Sequence, residues 1–229
     1  MLFRLSHTQK EEKKVEILKP KLDVVFKMIF GDERNAEIII AFLAALLDID
    51  KESIKSVKMA NVEVPNDEYD QKFSRLDLLM EIENDGNIEI VNIEIQVLTE
   101  PNYQDRSLLY WSKNFSTQLR SGESYAKLKK TICINIINFN LFESSIYRST
   151  FTLMEKTRHE ILTDKIEIHF FELRKLKKFL REKEENYAYT PMEDWLNFVN
   201  IETESDLMTL ENKTNDPTLE KAVVILKTL

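Results

Sequence analysis

Two acids and an amide, set on neighbouring extended runs, carry the spacing from which chemistry can be argued. The run "IEIVNIEIQVLTE" alternates as a β-strand does, with Ile88, Ile90, Val91, Ile93, Ile95 and Val97 apolar, yet it holds Glu94 and Gln96 near its end. A carboxylate in such a strand is costly unless it is paired or bound to something. A second alternating run, "SRLDLLMEIE", lies just upstream and is joined to the first by "NDGN". Asp-Gly between alternating runs signals a hairpin with a two-residue turn. With Asp85-Gly86 as that turn, residue 84 faces 87, 83 faces 88, and the pairing continues outward until Asp77 faces Glu94. Their Cβ atoms would then lie roughly 5 Å apart on one face, with Gln96 on the same face opposite Arg75. The other face, Leu76, Leu78, Met80 and Ile82 against Ile95, Ile93, Val91 and Glu89, is almost wholly apolar and belongs on a core.

Facing carboxylates repel, so a cation or a shared proton must compensate. Mg²⁺ commonly binds through one or two carboxylates, completed by water and substrate phosphate. A surface-facing pair neutralised by Arg75 and solvent is the competing reading, and the geometry weighs the two evenly. A bulge would shift the register by one and separate the pair.

The elements that must position these residues follow from periodicity. "KLDVVFKMIFG" after Pro20 predicts a short helix ending at Gly31, with Asp23, Phe26, Lys27 and Phe30 on one face. A strongly apolar helix follows over about Glu33 to Leu47, then a strand over Ser53 to Val64 and an acidic loop over Pro65 to Asp70. Beyond the hairpin, a helix is expected from about Tyr103 to Ser121, stopped by Gly122. "KTICINIINF", Lys130 to Phe139, is nearly continuous in apolar residues, as a strand buried on both faces is. "STFTLMEKT" and "KIEIHFFEL" read as a further strand pair, and helices as Lys175 to Glu185, "MEDWLNFV" and the terminal "DPTLEKAVVILKTL". The order implies an α/β fold with a mixed central sheet flanked by helices, plus a strand and helix extension at the C-terminus. The expected divisions are 1–16, a flexible start; 17–175, the domain carrying the acids; and 176–229, a helical extension whose abrupt end suggests a longer natural chain.

Composition excludes several classes. One cysteine, Cys133, permits no disulfide within the chain, and His7, His159 and His169 lack zinc-ligand spacing. The three glycines form no phosphate-cradling motif. The longest apolar run, Ile38 to Leu47, is too short to span a bilayer, and no signal-peptide core is present, so a cytoplasmic location is expected. Net charge is −8, yet two segments are basic: Arg106 to Lys130 holds six cations against Glu123, and Arg174 to Lys183 holds six against Glu182. Charge alone favours solvated helix faces for both.

The sequence of acid, hairpin, E-x-Q, helix and buried strand resembles the core of the PD-(D/E)xK nucleases. The strings "LKPKLDVVFKMIFGDERNAEIIIAFLAALL", "RLDLLMEIENDG", "VNIEIQ", "RSLLYWSKNFSTQLRSGESYAKLKKTICINIINFNLF" and "LTDKIEIHFFEL" are similar to the recombination-promoting nuclease and transposase family within that superfamily, over about residues 18 to 200. The resemblance implies a restriction-endonuclease-like core and a metal-dependent DNA endonuclease. It implies Asp77, Glu94 and the Ile95 backbone carbonyl as ligands of Mg²⁺ or Mn²⁺, with Asp23 as a further carboxylate and Lys27 facing the same cleft. DNA is the implied partner, with no membrane. A homodimer would suit a double-strand cutter.

"RLD" stands where the wider superfamily has Pro-Asp, and Gln96 stands where it has lysine. An amide offers hydrogen bonds but no charge beside the phosphate, so Lys27 or Lys113 is expected to supply it. Arg106, Lys113 and Arg120 recur every seven residues and so share one helical stripe, and the resemblance makes phosphate contact its preferred role. The alternative function is a catalytically weak or silent DNA-binding or interaction module derived from such a nuclease.

Overall fold

The structure, a computed structural model, describes residues 17–59 and 78–229. The expected flexible start, the acidic loop, Arg75 and Asp77 lie outside the described residues.

Pro20 precedes helix α1 (Asp23–Phe30), which buries Val25, Phe26, Ile29 and Phe30 along one stripe. Gly31 closes it with an N–H to the Lys27 carbonyl at 2.9 Å, and a Cβ there would stand 2.7 Å from that same oxygen. Helix α2 (Ala36–Leu47) is buried at Ile38, Ile39, Ala41, Phe42, Leu43, Ala44 and Leu46. So wide an apolar surface requires neighbours on more than one side.

Six strands form one mixed sheet: β1 (Ile54–Met59), β2 (Leu78–Asn84), β3 (Asn87–Gln96), β4 (Thr131–Ile137), β5 (Arg148–Phe151) and β6 (Ile166–Glu172), in the order β1-β2-β3-β4-β6-β5. β2 and β3 form the expected hairpin: Leu78 pairs with Ile93, Met80 with Val91 and Asn84 with Asn87. Asp85 at φ 47° and Gly86 at φ 79° are both left-handed, which a turn matching the strand twist requires. β3, β4 and β6 are parallel, and β1 and β5 close the edges antiparallel. Of the expected strand "STFTLMEKT", only Ser149 to Phe151 joins β5; beyond it Leu153 and Met154 are exposed, so no buried face fixes the ladder further.

The sheet's two faces differ in character. Val91, Ile93 and Ile95 of β3 and Ile132, Ile134 and Ile136 of β4 join the cluster built by α1 and α2. The other face carries Asn92 and Glu94 of β3 and Thr131, Cys133 and Asn135 of β4, all almost fully buried. Helix α3 (Tyr103–Ser116) lies on that face. Its match to β4 is metric: four helical residues rise about 6 Å and two strand residues about 6.6 Å. Tyr103, Ser107 and Trp111 accordingly meet Asn135, Cys133 and Thr131 in turn. The polar face of the hairpin strand β3, which holds the acid, is therefore roofed by α3.

The helices beyond residue 176 do not stand apart from this core. After α4 (Leu173–Arg181) come α5 (Pro191–Val199), α6 (Glu204–Lys213) and α7 (Pro217–Thr228). Trp195, Leu196 and Phe198 of α5 and Leu219, Ala222 and Val223 of α7 are buried in the same cluster as Phe26, Phe30 and Phe42. α6 is an element the periodicity reading omits, although Thr203 and Asp206 form a reciprocal capping box at its start.

A charged ledge occupies the end of the sheet where β4 and β6 begin. Glu167 is ion-paired with Lys130, and its Oε1 lies 3.4 Å from His169 Nε2, whose ring partner Nδ1 meets Thr150 Oγ1 at 3.1 Å. His169 and then Lys130, against the opposing effect of burial, hold the Glu167 carboxyl down to about 2 from its ordinary 4.5. Between those values the unfolded chain binds a proton that the folded chain does not, so stability is lost as pH falls through the window. Glu202, held to about 2 chiefly by Lys21, acts in the same window. Thermal midpoints followed from neutral pH downward should decline below about 4.5, and Glu167→Gln should flatten part of that decline. Parallel curves for the variant and the wild type would show the ion pair to be without consequence.

Candidate active site

Glu94 sits near the C-terminal end of β3, in register with Asn135 of β4, and is 2% exposed. Strand alternation alone dictates its side: its neighbours Ile93 and Ile95 take the apolar core, which leaves Glu94 under α3. The surface-facing reading of this acid is thereby excluded.

The roof supplies its counter-charge. Arg106 Nη2 stands 3.7 Å from Glu94 Oε2, while Nη1 donates a hydrogen bond to Glu100 in the loop between β3 and α3. The guanidinium is flanked by the rings of Tyr103 and Tyr110, at 5.7 and 5.1 Å from their centroids. Burial works against the Arg106 charge, but Glu94, Tyr110 and Glu100 outweigh it and raise its pKa. Burial likewise raises that of Tyr110, partly offset by Arg106.

Beside the acid runs a chain of buried polar groups. Asn135 Nδ2 donates to Ser107 Oγ at 2.8 Å and to the His169 carbonyl at 3.0 Å, and its Oδ1 accepts from Tyr103 Oη at 3.2 Å. These bonds pin the first turns of α3, and so Arg106, against the ends of β3 and β4. Cys133, fully enclosed, has its thiol pushed up to about 12, first by burial and then by the Glu94 charge. It is therefore neither a nucleophile nor a thiolate ligand at neutral pH. Asn135 breaks the apolar run of β4, and Asn92 shares the polar face of β3 with Glu94; an amide inside so apolar a run is the signal the sequence offers for this buried network.

Gln96, half-buried, bonds back through Nε2 to the Leu98 carbonyl at 2.9 Å. Its own carbonyl accepts from Asn138 on the β4 side at 2.9 Å, so by strand alternation the Ile95 carbonyl is directed to the β2 side. Asp23 and Lys27 pair with each other at 2.8 Å on the outer part of α1, whose buried stripe belongs to the same core cluster as the apolar face of β3. The three-cation stripe is not continuous: α3 ends at Ser116, so Arg106 and Lys113 share it and Arg120 lies in the following loop. The Thr117 N–H and side chain both turn back to the Lys113 carbonyl, closing the helix a turn earlier than Gly122 suggests.

Most of the remaining basic residues are committed within the chain. Lys127 pairs with Glu123, Lys129 with Glu81, Lys130 with Glu167, Lys177 with Glu202, and the 8% exposed Lys175 with Glu172. Among the described residues no three His, Cys, Asp or Glu side chains converge as a metal cage, and no helix is long and apolar enough to cross a membrane.

The Glu94 carboxylate at the end of β3 is a hard oxygen donor of the kind Mg²⁺ and Mn²⁺ take. Comparison with curated proteins and with solved structures gives no match. A family described as PD-(D/E)XK nuclease family transposase does match, over residues 20–229, a span that takes in the sheet, the buried acid and the C-terminal helices together. A mixed six-stranded sheet flanked by helices, with its acid at the end of a central strand, is the restriction-endonuclease-like α/β fold, and the chain belongs to the PD-(D/E)XK nuclease family transposases.

Proposed function

We propose that this protein is a metal-dependent DNA endonuclease acting in recombination or element mobility, with Glu94 at the centre of its active site. The observation that carries the reading is the placement of that carboxylate: 2% exposed, at the C-terminal end of a central strand, in a chain of a nuclease family. By the register that the Asp85-Gly86 turn implies in the sequence, Asp77 would face Glu94. Asp77, Glu94 and the Ile95 carbonyl would then hold Mg²⁺ or Mn²⁺. The bound ion would lower the pKa of a water and screen phosphate charge. Gln96 would orient that water or a phosphate oxygen by hydrogen bonding, and Asp23 with Lys27 would form the rim. Arg106, Lys113 and Arg120 would receive the DNA backbone, α3 carrying the first two.

A second reading, a silent DNA-binding module, is favoured by two observations. The Gln96 amide turns back to Leu98, and Glu94 already faces a guanidinium. One experiment separates them. Supercoiled plasmid incubated with the protein and Mg²⁺ or Mn²⁺ should be nicked or linearised, chelation by EDTA should stop the reaction, and Asp77→Ala should not cut. Plasmid that is bound in a salt-sensitive manner and left intact under every metal condition would establish the silent module instead.

A further inference from the structure

The nuclease reading leaves one requirement unmet: position 96, where a cation would stand beside the scissile phosphate, holds a neutral amide. We infer that Arg106 supplies this missing charge and is a catalytic residue contacting the reacting phosphate; the inference rests on the nuclease reading above. Among the described residues Arg106 is the cation that reaches Glu94 within ion-pair distance, at 3.7 Å. That separation is too long for a hydrogen bond, so the pair is held by charge and leaves the Nη2 donors uncommitted to Glu94. Nε–H is buried and has no acceptor among the described residues. The guanidinium thus directs donors to Glu100 and toward the Tyr110 hydroxyl and retains others in a fork whose geometry matches phosphate oxygens.

Its placement is fixed rather than incidental. Tyr103 and Tyr110 flank it, and Tyr103 is itself tied to Asn135, the register neighbour of Glu94. The Glu100 bond anchors the far side. A long cation in solution loses rotamer freedom when it binds a phosphate, and here that ordering is already present. The two candidates expected from sequence are less well placed. Lys27 is paired with Asp23, and Lys113 lies seven residues, about 10 Å, further along α3. The charge has in effect moved from the strand to the helix roof. Glu94 then has two roles: it holds Arg106 in place before metal and DNA arrive, and it would hold the metal ion beside the phosphate that Arg106 contacts.

The test uses the full chain and four proteins: wild type, Arg106→Gln, Gln96→Lys, and the double variant Arg106→Gln/Gln96→Lys. Removing one preorganised charge donor should lower single-turnover plasmid cleavage about 100- to 1000-fold, with the DNA dissociation constant changed only a few-fold. Restoring a cation at position 96 in the double variant should recover at least about tenfold of that loss, a rescue that a packing role for Arg106 would not give. In parallel, with Ca²⁺ in place of Mg²⁺ to permit binding without turnover, the Arg106 Nε–H resonance should shift when a short duplex is added. This second readout holds even if Arg106→Gln does not fold. Arg106→Gln cutting at the wild-type rate, no recovery in a folded double variant, or an unmoved Nε–H resonance would each overturn the assignment. A wild-type protein that never cuts would overturn the nuclease reading itself, and this inference with it.

Discussion

Glu94→Gln is expected to reduce metal-dependent cleavage by about a thousandfold or more while leaving the melting temperature unchanged or slightly raised. The two halves of this result come from the same geometry. Glutamine is nearly isosteric, so the 2% exposed site keeps its packing against Asn135 and the roof of α3. The charge is what disappears. A buried carboxylate costs desolvation that a neutral amide of the same shape largely escapes, and Arg106 stands 3.7 Å away. Arg106 keeps Glu100 and its two aromatic neighbours in the variant and is not stranded. Stability therefore has little to lose. Activity loses the metal ligand, and a thousandfold corresponds to about 4 kcal/mol at the transition state. An acid retained for structure would give the reverse pattern, a lower melting temperature with cleavage intact. Differential scanning fluorimetry beside a single-turnover assay reads both, and that reverse pattern would remove Glu94 from the site.

The contrast between what the sequence disclosed about this acid and what it withheld is physical. The hairpin register was legible because it is local: a two-residue Asp-Gly turn fixes every pair beyond it, and the pairs from Asn84–Asn87 to Leu78–Ile93 follow. The apolar face of β3 was legible for the same reason, as a period-two pattern. The fate of the polar face was not. Whether Glu94 meets water or a helix depends on where α3 docks, which is set by contacts such as Tyr103–Asn135, 32 residues apart in the chain. Spacing by seven grouped Arg106 with Lys113 and Arg120, but it could not tell that Arg106 turns inward to two acids or that Thr117 ends the helix before Arg120. An amide at position 96 carries no charge. The cation inferred to replace it lies on a different element, ten residues on, where no one-dimensional pattern points.

Trp195→Ala should cost about 3–5 kcal/mol of unfolding free energy. The residue lies well beyond the expected boundary at 175, in a segment that composition marked as an extension. It is 1% exposed, with its ring 6.1 Å from Phe30 of α1, 5.7 Å from Phe42 of α2 and 6.1 Å from Phe198 of its own helix. Removing the indole opens a cavity among large, rigid rings that cannot easily collapse into it, which places the cost at the upper end for a core truncation. The same contacts explain why α2 is apolar on nearly every side: the sheet takes one part of its surface, and α5 and α7 take others. A chain ended at residue 190 would expose Phe30, Phe42 and Ile38 together, and we expect it not to unfold cooperatively. Urea titration measures both variants. A loss below about 1 kcal/mol for Trp195→Ala, or a cooperative transition in the shortened chain, would show that α5 and α7 are accessory. The expected outcome makes them part of the scaffold that holds β3, and therefore Glu94, in position.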